Sequence, residues 1–161
     1  MSEGRVEAIY VGRVESGPLA EVPEVAAVAG HGLEGDRNYR ENPPPGEEAG
    51  RDLTLIEAEA VEALAAEHGI ELGPGESRRQ IQTRGIRLNP LVGKRFMVGE
   101  VECVGIELCE PCNHLQKLTQ PGVIRGLAHR GGLRADILSG GTIRPGDPVR
   151  EVTDRAEASA S

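Results

Sequence analysis

Residues 95–108 read RFMVGEVECVGIEL, and this stretch indicates a β fold. Two runs of mainly apolar residues, Arg95–Val98 and Val101–Leu108, flank a Gly99-Glu100 turn, which is the pattern of a β-hairpin. Other short strands are predicted along the chain, at residues 5–11, 25–29, 52–55, 79–83, 133–138 and 148–152. The pattern predicts a mostly β (α+β) fold, in which an antiparallel, barrel-like sheet carries a few helices on its outside.

One helix is predicted with clear signals at both ends. Thr54 followed by Glu57 matches a capping box, and apolar residues then recur on one face to about His68. Gly69 is the expected stop, because glycine adopts the left-handed conformation that ends many helices. A second short helix is predicted at residues 121–129, and residues 41–51, with three consecutive prolines, are expected to form an exposed, mobile loop.

Length and composition indicate a single domain over residues 1–152, followed by a disordered tail at 153–161. The chain has 161 residues, with one phenylalanine, two tyrosines and no tryptophan. We therefore expect a core of valine, isoleucine, leucine and alanine. Glycine and proline together make up a fifth of the chain, 22 and 11 residues of 161, which favours turns and short strands over a helical bundle.

Charge and hydropathy exclude several classes of function. The net charge of −8 argues against a nucleic-acid partner, because such proteins usually present a basic face. No window of 18 apolar residues is present, so no membrane span is expected. The first residues lack the apolar core of a signal peptide. We therefore expect a cytoplasmic protein, and three cysteines make a complete disulfide framework improbable.

Two of the three cysteines, Cys109 and Cys112, lie just after the predicted hairpin, on either side of Pro111. Cys112 has two readings: a thiolate that binds metal or attacks electrophiles, or a small buried apolar residue. Cys109 makes a Cys-x-x-Cys pair with it, which can be a redox pair or half of a zinc site. Its place at the strand end favours a core position, and core packing is also expected for Cys103.

Several segments, in this order, make the chain similar to the MOSC domains, named for the C-terminal region of molybdenum-cofactor sulfurases. The matching pieces span roughly residues 5–152: GLEGDR at 32–37, LTLIE at 53–57, RRQIQTRGI at 78–86, LVGKRF at 91–96, GEV at 99–101, EPC at 110–112 and GGTIRPGD at 140–147. The resemblance implies a β-barrel-like fold and a role with molybdenum cofactor (molybdopterin) or in sulfur transfer. It aligns Cys112 with a cysteine that ligates molybdenum in relatives such as the mitochondrial amidoxime-reducing component.

The resemblance also implies a set of cofactor-binding residues. Arg79 and Arg84 lie in the matching arginine-rich segment, and a guanidinium fork suits the phosphate of a pterin cofactor. Gln80 stands where relatives usually carry Asn, so the amide is kept with one methylene added. Further contacts are expected in two glycine-containing loops, from Gly35 and Asp36, where Asp36 hydrogen-bonds the pterin or orients an arginine, and from Arg130.

Three functions stay open at this stage. Cys112 is either the metal ligand and catalytic residue of a molybdenum enzyme that reduces N-hydroxylated compounds with electrons from a separate reductase, or the carrier of a persulfide delivered by a cysteine desulfurase. The third function is a non-enzymatic module that binds the cofactor. The expected ligands are the pterin cofactor or a small-molecule substrate, and pyridoxal phosphate is not expected.

Overall fold

The structure, a computed structural model, describes residues 3–14, 17–110, 119, 122–127 and 129–152. Its strands are β1 (Glu3–Val11), β2 (Ala20–Glu21), β3 (Val25–Val28), β4 (Gly32–Leu33), β5 (Leu53–Glu57), β6 (Ile81–Arg84), β7 (Arg95–Val98), β8 (Val101–Leu108), β9 (Leu133–Ser139), β10 (Gly141–Ile143) and β11 (Pro148–Glu151). Its helices are α1 (Ala58–His68), α2 (Val123–Leu127) and a 3-10 turn at Asn89–Leu91. Cys112 and the tail at 153–161 lie outside the described residues.

Seven of the described strands close into a barrel. Their order is β11-β7-β8-β9-β5-β6-β1, and β1 pairs back with β11. The predicted mostly β, barrel-like fold is confirmed, with one exception to its antiparallel pairing. β5 and β6 run parallel, because α1 connects them and a parallel pair needs such a crossover.

The predicted hairpin forms as β7 and β8, with Val98 opposite Val101 across the turn. Gly99 has a φ of +60° in that turn. Phe96, Val98 and Cys103 are fully buried, because alternate residues of a strand face the barrel interior. The core is aliphatic apart from Phe96 and Cys103 and is centred inside the barrel, as the composition predicted.

The start of α1 differs from the prediction. β5 continues through Glu57, which is held extended by pairing with Thr83 of β6. The predicted capping box does not form: Glu57 precedes the first helical residue with no side-chain capping bond, and its carboxylate accepts a hydrogen bond from Leu88 N (2.9 Å) instead. The predicted stop is confirmed, since Gly69 has a φ of +67° and its N–H bonds back to the last turn.

α1 and α2 pack together outside the barrel around a small second cluster, which contains Leu64, Ile70, Val123 and Leu127. Among the described residues, neither helix has the length and apolar character that crossing a bilayer requires. The candidate site lies at the start of β5 and immediately before β6, where Thr54 and Asp36 bond Gln80.

Candidate functional site

Asp36 is the centre of a buried hydrogen-bond network after β4. Its side chain is fully buried, and its Oδ1 accepts hydrogen bonds from Gly12 N (2.9 Å) and Arg37 Nη1 (3.0 Å). Its Oδ2 accepts from Asn38 N (2.9 Å) and Gln80 Nε2 (2.8 Å). Asp36 thus braces its own turn and orients an arginine, Arg37.

Gln80 joins this network to β5. Its Oε1 accepts a hydrogen bond from Thr54 N at 2.9 Å, while its own backbone N donates to Thr54 Oγ1 at 3.1 Å. The residue is only 1% exposed. The Gln80 amide therefore spans from β5 to Asp36, and both of its polar atoms are used within the chain.

A cavity of about 230 Å³ opens beside this network. Its lining combines four arginines with one glutamate and several polar or small residues: Arg37, Asn38, Arg40, Glu47, Gly50, Arg51, Thr54, Gln80 and Arg134. In a chain of net charge −8, four guanidinium groups meet at this cavity, each with a carboxylate within 4.0 Å. We call it the arginine cavity.

Two of these arginines, Arg40 and Arg51, are engaged in holding the segment that forms one side of the cavity. Arg40 pairs with Glu47 (2.8 Å) and with the buried Asp52 (2.9 Å), and these contacts raise its pKa against the opposing effect of burial. Arg51 pairs with Glu48. Asp136 Oδ1 also holds this segment, because it accepts hydrogen bonds from the backbone N–H groups of residues 50 and 51.

The other two arginines have donors to spare. Among the described residues, Arg37 uses only Nη1 of its guanidinium, for Asp36. The described contact of Arg134 is a loose approach to Glu107 at 4.0 Å, which is longer than a hydrogen bond. The arginine cavity can therefore offer several N–H donors to an anionic group.

Arg79 follows a different course from its neighbour Gln80. Its side chain is buried, its Nε donates to the carbonyl of Gly131 (2.7 Å), and its Nη2 donates to the carbonyl of Cys109 (3.1 Å). These two residues stand at the two ends of the segment that carries Cys112. The guanidinium thus holds these two ends, which we call the base of the segment, close together.

Two further contacts close the same base. Cys109 N donates to the carbonyl of Gly132 at 2.7 Å. The Glu110 carboxylate binds both the backbone N (2.8 Å) and the ring Nδ1 (3.0 Å) of His129, whose φ is +60°. The described residues on the two sides of this segment, at 109–110 and at 129–132, are therefore bonded to each other.

Arg84 lies apart from the arginine cavity. Its guanidinium binds Glu7 and Glu62 on the half-exposed outer face. These carboxylates raise the pKa of Arg84, and the hydrogen bond from Arg84 lowers the pKa of Glu7. A cofactor role for Arg84 stays a prediction that this placement does not support.

Gly35 adjoins the Asp36 network, whereas Arg130 lies apart from it. Gly35 sits in the exposed turn before Asp36 with a φ of +85° and open space on its Cβ side. Arg130 is exposed, lies 3.4 Å from Glu67, and lines a different cavity with His129 and Arg87. Of the predicted contacts, the structure brings together only Gly35, Asp36 and Gln80.

The described cysteines are both packed in the protein. Cys103 is fully buried and Cys109 is 2% exposed, so the core positions expected from the sequence are confirmed. Burial raises the pKa of the Cys103 thiol, with nearby carboxylates adding to the shift. Within the described part of the chain, no group of three or more His, Cys, Asp or Glu side chains is arranged to hold a metal ion.

The sequence did not single out Arg37, Arg40, Arg51 or Arg134 as site residues. The available signal was alternation in β9, where Leu133 and Ala135 are buried and Arg134 is not. Arg134 reaches the cavity because β9 pairs with β5, opposite Thr54. Local periodicity does not reveal that pairing.

Comparison with solved structures supports the fold. The YuaD protein from Bacillus subtilis matches with a TM-score of 0.78 at 15% identity, over 94% of this chain and 97% of that one. YiiM from Geobacillus stearothermophilus matches at 0.70 and 16% identity, over 93% of this chain and 75% of that one. YiiM from Escherichia coli matches at 0.67 and 18% identity, over 95% and 71%.

No curated protein matches the sequence. The family model described as the MOSC domain matches residues 38–150. This range includes most of the barrel, Gln80, Arg134 and all but the first arginine of the cavity. The chain therefore belongs to the MOSC domain family.

Proposed function

We propose that the chain binds molybdenum cofactor, with the arginine cavity holding the phosphate end and the Cys112 thiolate coordinating the metal. The observation that carries the proposal is the convergence of four arginines on one cavity, where Arg37 and Arg134 keep N–H donors that their carboxylate partners do not use. Membership of a family associated with molybdenum cofactor binding supports it. The chemistry of the cavity points to an anionic ligand.

The donor set fits a phosphate group. Arg37 and Arg134 have unused N–H donors among the described residues, and a guanidinium binds two phosphate oxygens with parallel hydrogen bonds. The volume of about 230 Å³ is below the range of pockets that enclose a whole drug-sized ligand. The cavity therefore suits the phosphate end of a pterin better than an extended dinucleotide.

Each described residue has a distinct task in this proposal. Arg37 and Arg134 bind and orient the phosphate, Asp36 holds Arg37, and Arg79 fixes the base of the segment with Cys112. When bound, the cofactor supplies two-electron or oxygen-atom transfer at molybdenum. The substrate class we propose is N-hydroxylated compounds, with electrons from a separate reductase.

The test is the pterin and molybdenum content of protein purified from a host that makes the cofactor. We expect both in the wild type, and at least a tenfold lower pterin content in Arg134→Gln. Arg144→Gln is the matched control, since Arg144 is an exposed arginine paired only with Glu24 among its described ion pairs. Equal pterin content in the two variants, or none in the wild type, would sink the proposal.

The same preparations separate the sulfur-carrier alternative. A carrier would show a sulfur adduct on Cys112 by mass spectrometry after incubation with a cysteine desulfurase, with no molybdenum bound. A cofactor-binding protein would hold molybdenum without needing that treatment. A non-enzymatic module would retain pterin after Cys112→Ser at the wild-type level.

A further inference from the structure

The orientation of the Gln80 side-chain amide is fixed by its two neighbours. Thr54 N can only donate a hydrogen bond, so the atom 2.9 Å from it is the amide oxygen. The amide nitrogen must then face Asp36 Oδ2, 2.8 Å away. The reverse orientation would place oxygen against a carboxylate and nitrogen against an N–H, with both contacts repulsive.

The Asp36 carboxylate has no capacity left for a ligand. It receives four hydrogen bonds, from the backbone of Gly12 and Asn38 and from the side chains of Arg37 and Gln80. Four donors fill the four acceptor positions of a carboxylate. Asp36 can therefore influence a bound anion only through the arginine that it holds.

Arg37 is the point where this network meets the arginine cavity. Its side chain is 9% exposed, Nη1 is fixed on Asp36, and the side chain lines the cavity. Because a guanidinium is planar, fixing one Nη atom limits the directions that the remaining donors can take. The direction of those donors decides whether two phosphate oxygens can be bound at once.

We propose that Gln80 is a positioning residue, which acts through Asp36 to aim the Arg37 guanidinium into the cavity and so sets the affinity of the cavity for phosphate. The inference rests on the proposed anion-binding role of the cavity. It assigns Gln80 a role different from the direct cofactor contact that the sequence suggested. The buried amide touches Thr54 and Asp36, and both of its polar atoms are engaged there.

The length of glutamine is what makes this possible. The Gln80 backbone is tied to Thr54 Oγ1 at 3.1 Å, and the side chain must reach both Thr54 N and Asp36 from that position. Asparagine is shorter by one C–C bond, about 1.5 Å, so it cannot keep both contacts at hydrogen-bond length. In this chain the added methylene has a use, namely to span from β5 to Asp36.

The experiment is calorimetric titration of the purified full chain with inorganic phosphate. We expect wild-type protein to bind phosphate, and Gln80→Leu to bind it about tenfold more weakly. Gln82→Leu is the matched control, because Gln82 lies two residues further along, in β6, and its amide donates to Glu7 (2.8 Å), away from the cavity. Gln80→Asn carries the test if Gln80→Leu fails to fold, with a weakening of the same sign expected.

A double-substitution cycle separates positioning from general loss of stability. In an Arg37→Gln background, Gln80→Leu should weaken phosphate binding no further, since the group that it aims has been removed. An equal tenfold loss in both backgrounds would overturn the inference. So would unchanged binding in Gln80→Leu and Gln80→Asn, or the absence of phosphate binding by wild type.

These measurements use no molybdenum. A protein that shows the expected phosphate pattern but contains no pterin or molybdenum would contradict the proposed function and leave the role of Gln80 standing. If the wild type and Gln80→Leu retain equal amounts of cofactor, the role of Gln80 is contradicted and the proposed function is not. The two proposals can therefore fail separately.

Discussion

Arg79 provides the sharpest prediction about stability, because its buried guanidinium joins two parts of the chain that are distant in sequence. Arg79→Met keeps the length of the side chain and removes its donors. The hydrogen bonds lost include those to the carbonyls of Gly131 (2.7 Å) and Cys109 (3.1 Å). A buried acceptor left without a donor costs roughly 1–3 kcal/mol, so the two together predict a loss of about 3 kcal/mol in the free energy of unfolding.

The assay is urea unfolding followed by circular dichroism, with hydrogen exchange of the Cys109 amide as a local probe. For a domain of this size, a loss of about 3 kcal/mol corresponds to a fall in Tm of roughly 6–12 °C. The Cys109 amide, bonded to Gly132 O at 2.7 Å, should exchange faster. Molybdenum content should fall as well, because the base of the segment with Cys112 is loosened.

Arg87→Met is the control for Arg79→Met, since Arg87 is exposed. We expect it to change the free energy of unfolding by less than about 0.5 kcal/mol. Equal stability losses in the two variants would show that the buried hydrogen bonds of Arg79 do not stabilise the protein. A loss below about 1 kcal/mol in Arg79→Met would do the same, because the two bonds would then be worth no more than exposed ones.

Three other outcomes follow from the described contacts. Burial raises the pKa of the Cys103 thiol, so the thiol loses its proton at lower pH in the unfolded chain than in the folded protein. The free energy of unfolding should therefore fall as pH rises above roughly 8.5. Urea titrations of Cys103→Ala should lack this part of the fall. Gly132→Ala should lower the Tm strongly in a thermal melt, because a Cβ at this position overlaps a carbonyl of β5. Gly35→Ala has open space on its Cβ side and should lower the free energy of unfolding by only about 1 kcal/mol. Arg84 lowers the pKa of Glu7, so Arg84→Gln should reduce stability at pH 7, and this loss should shrink as the pH falls through the lowered pKa and the carboxylate is protonated; a loss that stays the same into the acidic range would count against the ion pair.

Local patterns in the sequence were sufficient for most of the fold. The β7–β8 hairpin follows from alternation and a glycine turn, and the end of α1 follows from Gly69, because these features depend on neighbouring residues. The capping box at Thr54 failed because pairing with β6 keeps Glu57 extended. That pairing is parallel and long-range, and nothing in the local periodicity encodes it.

The candidate site was harder to predict for the same reason. Arginines looked similar in the sequence, but the fold divides them: Arg79 is a buried tie, Arg84 belongs to an outer ion-pair cluster, and Arg37 and Arg134 meet in one cavity. Arg37 and Arg134 are 97 positions apart, and only the pairing of β9 with β5 unites them. The resemblance left two roles open for Asp36, a contact with the pterin or the orientation of an arginine, and in the structure Asp36 holds Arg37.

In the proposed function, the sulfur of Cys112 binds molybdenum. X-ray absorption at the molybdenum edge of cofactor-loaded protein counts the sulfur neighbours of the metal directly. We expect one sulfur more in the wild type than in Cys112→Ser, because the pterin dithiolene would supply the same two sulfurs to both. Identical sulfur counts in the two proteins would contradict it.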